Sequence, residues 1–227
     1  KPVFLYGRYV KDKRGLPQKE ESCRDCMGKG CIFCNNHGIV SFDGVEGKIS
    51  KFLYEKFKTE RVKFTWIGGE DKTSLVMGNG RPFFAKLLSP KKRNVRLAKK
   101  SNLNQIMIHD LRRIDHIPSG SIQFKSKTKI LVSTKNNLSS DRLKKLKHLT
   151  DTPIEITDSN RQYKKTIYKL KYKKYSLQSF AVEMEADGGI PIKRFVNGFN
   201  VIPNISSVLD TDCSCEKFDI DQIYLSK

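Results

Sequence analysis

Gly68-Gly69-Glu70-Asp71-Lys72-Thr73-Ser74-Leu75-Val76-Met77-Gly78-Asn79-Gly80-Arg81-Pro82-Phe83 is the stretch on which the reading of this chain turns. It sets an acidic pair, Glu70 and Asp71, ahead of a glycine-punctuated turn at Gly78 and Gly80 that ends in Arg81-Pro82-Phe83. Glycine supplies backbone conformations and close approaches that other residues resist. An acid among glycines and cations, in a chain of net charge +20, points to chemistry rather than to solvated surface. Just upstream, Val62, Phe64 and Trp66 alternate with polar residues, the pattern of a half-buried strand, so the acid sits at a strand end. The competing reading of Asp71 is a loop acid that caps a turn.

Working outward, Ile49, Phe52, Leu53 and Phe57 follow helical spacing and predict an amphipathic helix over 45–58. Short apolar or alternating runs predict strands at 83–88, 105–108, 129–133, 154–157, 167–172, 180–185 and 218–224. Ser139 or Ser140 can cap a helix carrying the basic run Arg142 to His148. Many strands in mixed order with few helices argue for α+β. No repeat, low-complexity tract or linker divides the 227 residues, so a single unit is the economical organisation.

Cys23-x-x-Cys26, four residues, then Cys31-x-x-Cys34 is the second strong signal. Two thiolate pairs in glycine-containing turns match the tetrahedral sulfur set of structural zinc. Replacement of one ligand by His37, and pairing as disulfides, are the alternatives, the latter disfavoured inside cells. Cys213 and Cys215 have no second pair nearby and read as ordinary buried thiols.

There are 44 Lys plus Arg against 24 Asp plus Glu, and residues 121–175 alone hold 15 basic and four acidic side chains. Such an excess is an electrostatic footprint for phosphate backbones. Tyr163, Tyr168, Tyr172 and Tyr175 interleave with lysines there, the combination of stacking and charge used on single-stranded RNA. A half-buried strand gives the same alternation, with Tyr168, Leu170 and Tyr172 on one face and Lys169, Lys171 and Lys173 on the other. No apolar run approaches the roughly 18 residues of a membrane span, and no secretory leader opens the chain, which points to a cytoplasmic protein without a membrane partner.

The wording of the acidic segment resembles the pseudouridine synthase 10 family, tRNA enzymes in which an Arg-Glu-Asp run is followed by Gly-x-Gly-Arg-Pro-Phe. Tyr6-Gly7-Arg8-Tyr9 with Arg14-Gly15-Leu16-Pro17-Gln18 is similar to the entry to that family's catalytic domain. Gly189-Ile190-Pro191-Ile192-Lys193-Arg194-Phe195-Val196-Asn197-Gly198 is similar to its "GTYIK" segment. The resemblance implies a pseudouridine synthase fold, a long bent mixed β-sheet with flanking helices and a central cleft. It implies one catalytic domain over 1–227, with the cysteine pairs at 23–34 as a zinc-knuckle insertion; the THUMP-type accessory domain that family members usually carry is expected to be absent from this chain. A separate accessory chain that presents the RNA is compatible with that division.

Further, it implies isomerisation of uridine to pseudouridine in the TΨC arm of tRNA, at position 55 and in archaeal members also 54. The chemistry uses no cofactor, and zinc is structural only. Asp71 is the implied catalytic carboxylate and Lys193 the cation that keeps it charged. Arg81 is expected on phosphate or on the loop itself; Lys129, Tyr163, Lys171, Lys173 and Lys174 are expected to contact RNA. Glu70 should point elsewhere and tolerate Gln. The chain departs from the pattern at Gly69 in place of Arg, at Lys129 in place of the base-packing Tyr, and at Pro191 in place of the Tyr of "GTYIK". Tyr163 or Phe124 are candidates to compensate. The rival readings are a catalytically inactive tRNA-binding protein or folding chaperone, and an unrelated zinc-knuckle RNA-binding module.

Overall fold

Nine residues from Val3 to Lys11 alternate between the interior and a half-covered face, and this strand, β1, organises the first half of the chain. The computed structural model describes all residues except Asn160 and Lys227. Two compact units result, 1–122 and 123–227.

In the first unit, β2 (Arg61–Trp66), β3 (Val76–Leu88), β4 (Lys100–Asn102) and β5 (Ile106–Ile114) join β1 in the order β4-β5-β1-β3-β2, each strand antiparallel to its neighbours in that order. Helix α1 (Val45–Phe57) presents Val45, Ile49, Leu53, Tyr54 and Phe57 to the interior, as its spacing predicts. No side chain caps its N-terminus from Gly44; the Glu20 carboxylate accepts from the Gly44 amide instead, an anion at the positive end of the helix dipole. Leu5, Tyr9, Ile49, Leu53, Phe57, Phe83, Leu87 and Ile108 form the fully buried core.

The second unit is a four-stranded antiparallel sheet, β12-β6-β10-β9, built from β6 (Phe124–Thr134), β9 (Ile167–Lys174), β10 (Ser179–Asp187) and β12 (Cys213–Leu225). A small sheet of β7 (Ile154–Asp158), β8 (Arg161–Lys165) and β11 (Val201–Ile202) accompanies it. Period-2 alternation gives the main sheet two unlike faces. Ile130, Val132, Phe180, Val182 and Met184 are buried with Phe195 and Val196 of α3 (Ile192–Asn197) and Ile205 and Leu209 of α4 (Ile205–Leu209). Helix α2 (Ser140–Lys144) starts where the sequence predicts: Ser139 Oγ accepts from the Arg142 amide at 3.2 Å. It closes after one turn, and a 3₁₀ segment carries Lys145–Thr150. Strand-rich units with few short helices are the α+β class read from the sequence.

Candidate active site

The expected glycine turn at 78–80 is instead the start of a strand. Gly78 and Gly80 lie in β3, where Tyr9 pairs with Arg81 but Lys11 with Val76, so several residues of β3 bulge opposite one step of β1. Gly80 has a φ of +68°, and a Cβ there would meet Tyr9 O at 2.7 Å and His109 Nε2 at 2.9 Å. Only glycine fits. Arg8 holds the bulge, its guanidinium donating to the carbonyls of Asn79 at 3.1 Å and Gly80 at 3.0 Å, with Nε on Tyr6 Oη at 3.0 Å.

This bulge and β2 frame the loop that carries the acids, and β1 grips the loop from beneath. The Glu70 side chain is wholly buried. Lys11 Nζ lies 2.9 Å from its Oε1, in ion-pair contact although off the line of a hydrogen bond, and Arg81 Nε lies 3.1 Å from Oε2. Tyr9 Oη donates to Oε2 at 2.8 Å and in turn accepts from Gln18 Nε2 at 3.2 Å. Burial first, then the Glu70 carboxylate, push the Tyr9 phenol well above its usual range, so it stays a donor. The same cations hold the backbone: Arg81 donates to Ile67 O at 2.7 Å and Gly69 O at 3.0 Å, and Lys11 to Leu16 O at 3.0 Å and Asp71 O at 3.3 Å. Gln18 Nε2 reaches Gly68 O at 3.4 Å, the Gly15 amide donates to Lys72 O at 2.8 Å, and Arg14 donates to Thr73 O at 2.5 Å.

Of the two roles expected for Arg81, the loop is the one seen: it is 2% exposed and committed to the loop and to Glu70, not turned out towards an RNA phosphate. Glu70 points away from Asp71, as expected, into the interior between two cations. Asp71 itself is half-buried at the loop's outer side. Its Oδ1 accepts from the Thr73 amide and hydroxyl, both at 2.9 Å, and its carbonyl from the Ser74 amide at 3.0 Å. It therefore caps its own turn while Lys11 fixes its backbone from below. Lys193 is an exposed residue of α3, in the second unit.

The cysteines converge as predicted. The Sγ atoms of Cys23, Cys26, Cys31 and Cys34 all lie within 4.8 Å of one another, with 3.9 Å between Cys23 and Cys31 and 3.8 Å for Cys26–Cys34 and Cys31–Cys34. A tetrahedron of four sulfurs about 2.3 Å from a zinc ion has edges of about 3.8 Å, so the donor set fits. Amides of Gly30, Cys31 and Gly38 donate to the Cys26 and Cys34 sulfurs at 3.1–3.3 Å. Burial would raise the Cys34 thiol, but the Cys31 and Gly38 amides and the neighbouring thiols outweigh it and bring it down to about 6. His37 is not part of the set: its Nδ1 contacts Glu60 O at 2.7 Å and its ring stacks on Tyr54. The cysteines are free thiols rather than disulfides.

The lysines of the second unit divide by strand parity. Lys129, Lys171 and Lys173 are exposed on the open face of the sheet, around a groove of about 400 Å³ that also takes in Tyr175 and Lys217. Lys174 faces the other way and gives its ammonium to Leu138 O, so it does not extend that row. Acids interleave on the open face: Lys127 pairs with Glu183 at 2.9 Å and Asp221 at 3.5 Å, and Lys169 with Glu185 at 3.6 Å. Tyr163 is half-buried in β8 with Lys165 Nζ 5.8 Å from its ring centre. A cationic surface that sequence reasoning misses lies in the first unit, along the loop 89–99 and β5; its signal is the Lys- and Arg-rich run from Lys91 to Lys100.

Two of the motif segments read from the sequence meet the acidic loop in the first unit, the entry segment of β1 and residues 14–18, while the third, 189–198, belongs to the second unit. Comparison with known proteins agrees. Over 224 residues the chain is 45% identical to the tRNA pseudouridine synthase Pus10 of Nitrosopumilus maritimus, covering 98% of this chain and 58% of that protein. The corresponding enzyme of Cenarchaeum symbiosum is 38% identical over 227 residues, covering 100% and 56%, and that of Methanocaldococcus jannaschii 30% over 241 residues, covering 98% and 53%. The chain therefore spans a little over half the length of these relatives. With residues 4–224 matching the family described as Pus10, C-terminal, the chain belongs to the Pus10 C-terminal family.

Proposed function

We propose that this chain carries the catalytic part of a tRNA pseudouridine synthase that isomerises uridine at position 55 in the TΨC arm, with position 54 as the candidate second target. The observation that supports it most is the loop architecture: a buried Glu70–Lys11–Arg81 network, built by the motif residues, presents Asp71 at its outer side. Asp71 is the catalytic carboxylate. The N1–C1′ bond of the target uridine breaks, the base turns, and a C5–C1′ bond forms; C5 then gives up its proton and N1, freed from C1′, takes one up, so the isomerisation is neutral in protons. The carboxylate serves either as nucleophile at C1′ or as base at C2′. A carboxylate in a dry pocket needs a cation to remain ionised, and Lys193 is assigned that role. No cofactor is required by this chemistry.

Lys129, Lys171 and Lys173 contact the RNA backbone and Tyr163 stacks on a base. Such contacts help to hold a nucleotide flipped out of its arm. Cys23, Cys26, Cys31 and Cys34 hold one zinc ion, which fixes the knuckle and supplies no catalytic step. Among the described residues no helix is long and apolar enough to cross a membrane, and we place the protein in the cytoplasm, with an accessory segment or chain assisting RNA presentation.

Pseudouridine mapping on an unmodified tRNA transcript tests the reading. Wild-type protein should form pseudouridine and Asp71→Asn should form none while binding tRNA as before, because removing an acid does not weaken attraction to phosphate. An Asp71→Asn protein that still isomerises would refute the assignment; wild-type protein that binds tightly yet never isomerises would make it a tRNA-binding protein or chaperone.

A further inference from the structure

From Lys86 to Arg113 nine residues are basic and one, Asp110, is acidic. Folding places five of them, Arg96, Lys99, Lys100, Arg112 and Arg113, along one edge of the first unit. Strand β4 is the outermost of its sheet, with Lys100 opposite His109 of β5, and the loop 89–99 precedes it. Loop and strand enclose two adjoining hollows of about 590 and 440 Å³ that share Leu97, Leu111 and Arg112. Arg96 and Arg113 line the first, Lys99 and Lys100 the second.

All five cations, Arg96, Lys99, Lys100, Arg112 and Arg113, are exposed. Arg112 stacks its guanidinium 4.2 Å from the Tyr6 ring centre, and Arg113 reaches Asn94 Oδ1 at 3.5 Å. Among the described residues none of the five forms an ion pair with a carboxylate, and Asp110 is engaged by His109 at 3.1 Å. This differs from the open face of the second unit, where Lys127 and Lys169 have carboxylate partners. Five clustered cations beside a single carboxylate, Asp110, repel one another, a cost that a bound polyanion would relieve. The hollows are shallow and continuous and their floor is apolar, at Leu97 and Leu111, a shape suited to an extended chain more than to a single small anion. Arginine at both ends of the run offers forked donors that match phosphate oxygens.

We propose that this edge of the first unit is a binding site for the phosphodiester backbone of RNA, formed by Arg96, Lys99, Lys100, Arg112 and Arg113. It rests on the reading of the chain as an RNA-modifying protein and adds a second anchoring surface, separate in sequence from the stretch 121–175.

The test replaces Arg96, Lys99 and Lys100 together by Gln in the full chain, three exposed residues without carboxylate partners, and compares thermal midpoints to establish that the fold is kept. Affinity for an unmodified tRNA transcript is then measured across salt concentrations by fluorescence anisotropy. Each phosphate that the protein no longer neutralises should reduce the slope of log affinity against log salt by about 0.7–0.9, so the triple variant should fall short of wild type by about 2 to 3. Arg96→Lys, which keeps the charge, should leave the slope near wild type. An unchanged slope in the triple variant overturns the proposal. So does inorganic phosphate displacing RNA from this surface at low millimolar concentration, which would make it a small-anion site, or loss of binding to anionic vesicles with RNA binding intact, which would assign it to lipid. The outcome is separable from the isomerase reading: a reduced slope in a protein that never forms pseudouridine keeps this site and removes the activity, whereas normal isomerisation with an unaltered slope does the reverse.

Discussion

Glu70 and Asp71 are neighbours with opposite surroundings. Asp71 closes a turn at the loop's outer side, and Glu70 is sealed between Lys11 and Arg81 with the Tyr9 hydroxyl on the same carboxylate. Removing one member of a buried charge network leaves the others uncompensated, typically at a cost of about 3–5 kcal/mol. Glu70→Gln should therefore lose stability of that order in urea unfolding, and Asp71→Asn less than about 1 kcal/mol; a Glu70→Gln protein as stable as wild type would show that the network contributes nothing net. The sequence points to the acidic pair and turns Glu70 away from Asp71, but does not show where Glu70 goes. Its partners come from residues 11 and 81, and no local pattern announces that a lysine in a strand rich in Val, Leu and Tyr points inward to meet a carboxylate. For the same reason the sequence leaves Arg81 two places, phosphate or loop, and the loop is the one it takes. A surface cation and a buried one are spelled alike.

At the level of elements, period and caps are reliable guides. Helix α1 and strands β2, β6, β7, β9, β10 and β12 lie where apolar spacing places them, and Ser139 caps α2. The start of β3 escapes because glycines in a strand look like a turn until the partner strand supplies the bulge. Strand β1 reads as a family motif before it reads as a strand, and β4, β8 and β11 are short and polar or isolated. The knuckle is legible because ligand spacing alone constrains its geometry. It should retain close to one equivalent of zinc after purification. Chelation should loosen the backbone of 22–39, whose turns include positive-φ residues Met27, Gly28, Gly30, Asn35, Asn36 and Gly38. Less than about half an equivalent by elemental analysis, or unchanged amide exchange in that segment after chelation, would count against a structural ion.

At the scale of the molecule, a net charge of +20 does not act as one field. In the second unit the exposed lysines of β9 share their face with Glu183, Glu185, Asp219 and Asp221, so part of the excess counted along 121–175 is cancelled across strands. Counting charge in sequence overlooks that, because the acids arrive from β10 and β12. Lys171→Gln with Lys173→Gln should therefore lower the salt slope by less per cation removed than the triple change at Arg96, Lys99 and Lys100. An equal or larger effect per lysine, measured on the same transcript, would show that the open sheet face is the stronger anchor.

The grip on the acidic loop also bears on how the protein is made. Lys11 and Arg81 are 70 positions apart, and both must be in register, β1 against β3, before Glu70 has its counter-charges. The hairpin of β2 and β3 contains the acid and only one of the two cations, so during synthesis the loop waits for strand pairing with a segment that emerged much earlier. The counter-charges of Glu70 are thus complete only when β1 and β3 are paired in register, and a shift of one residue between these strands would leave the buried acid without them.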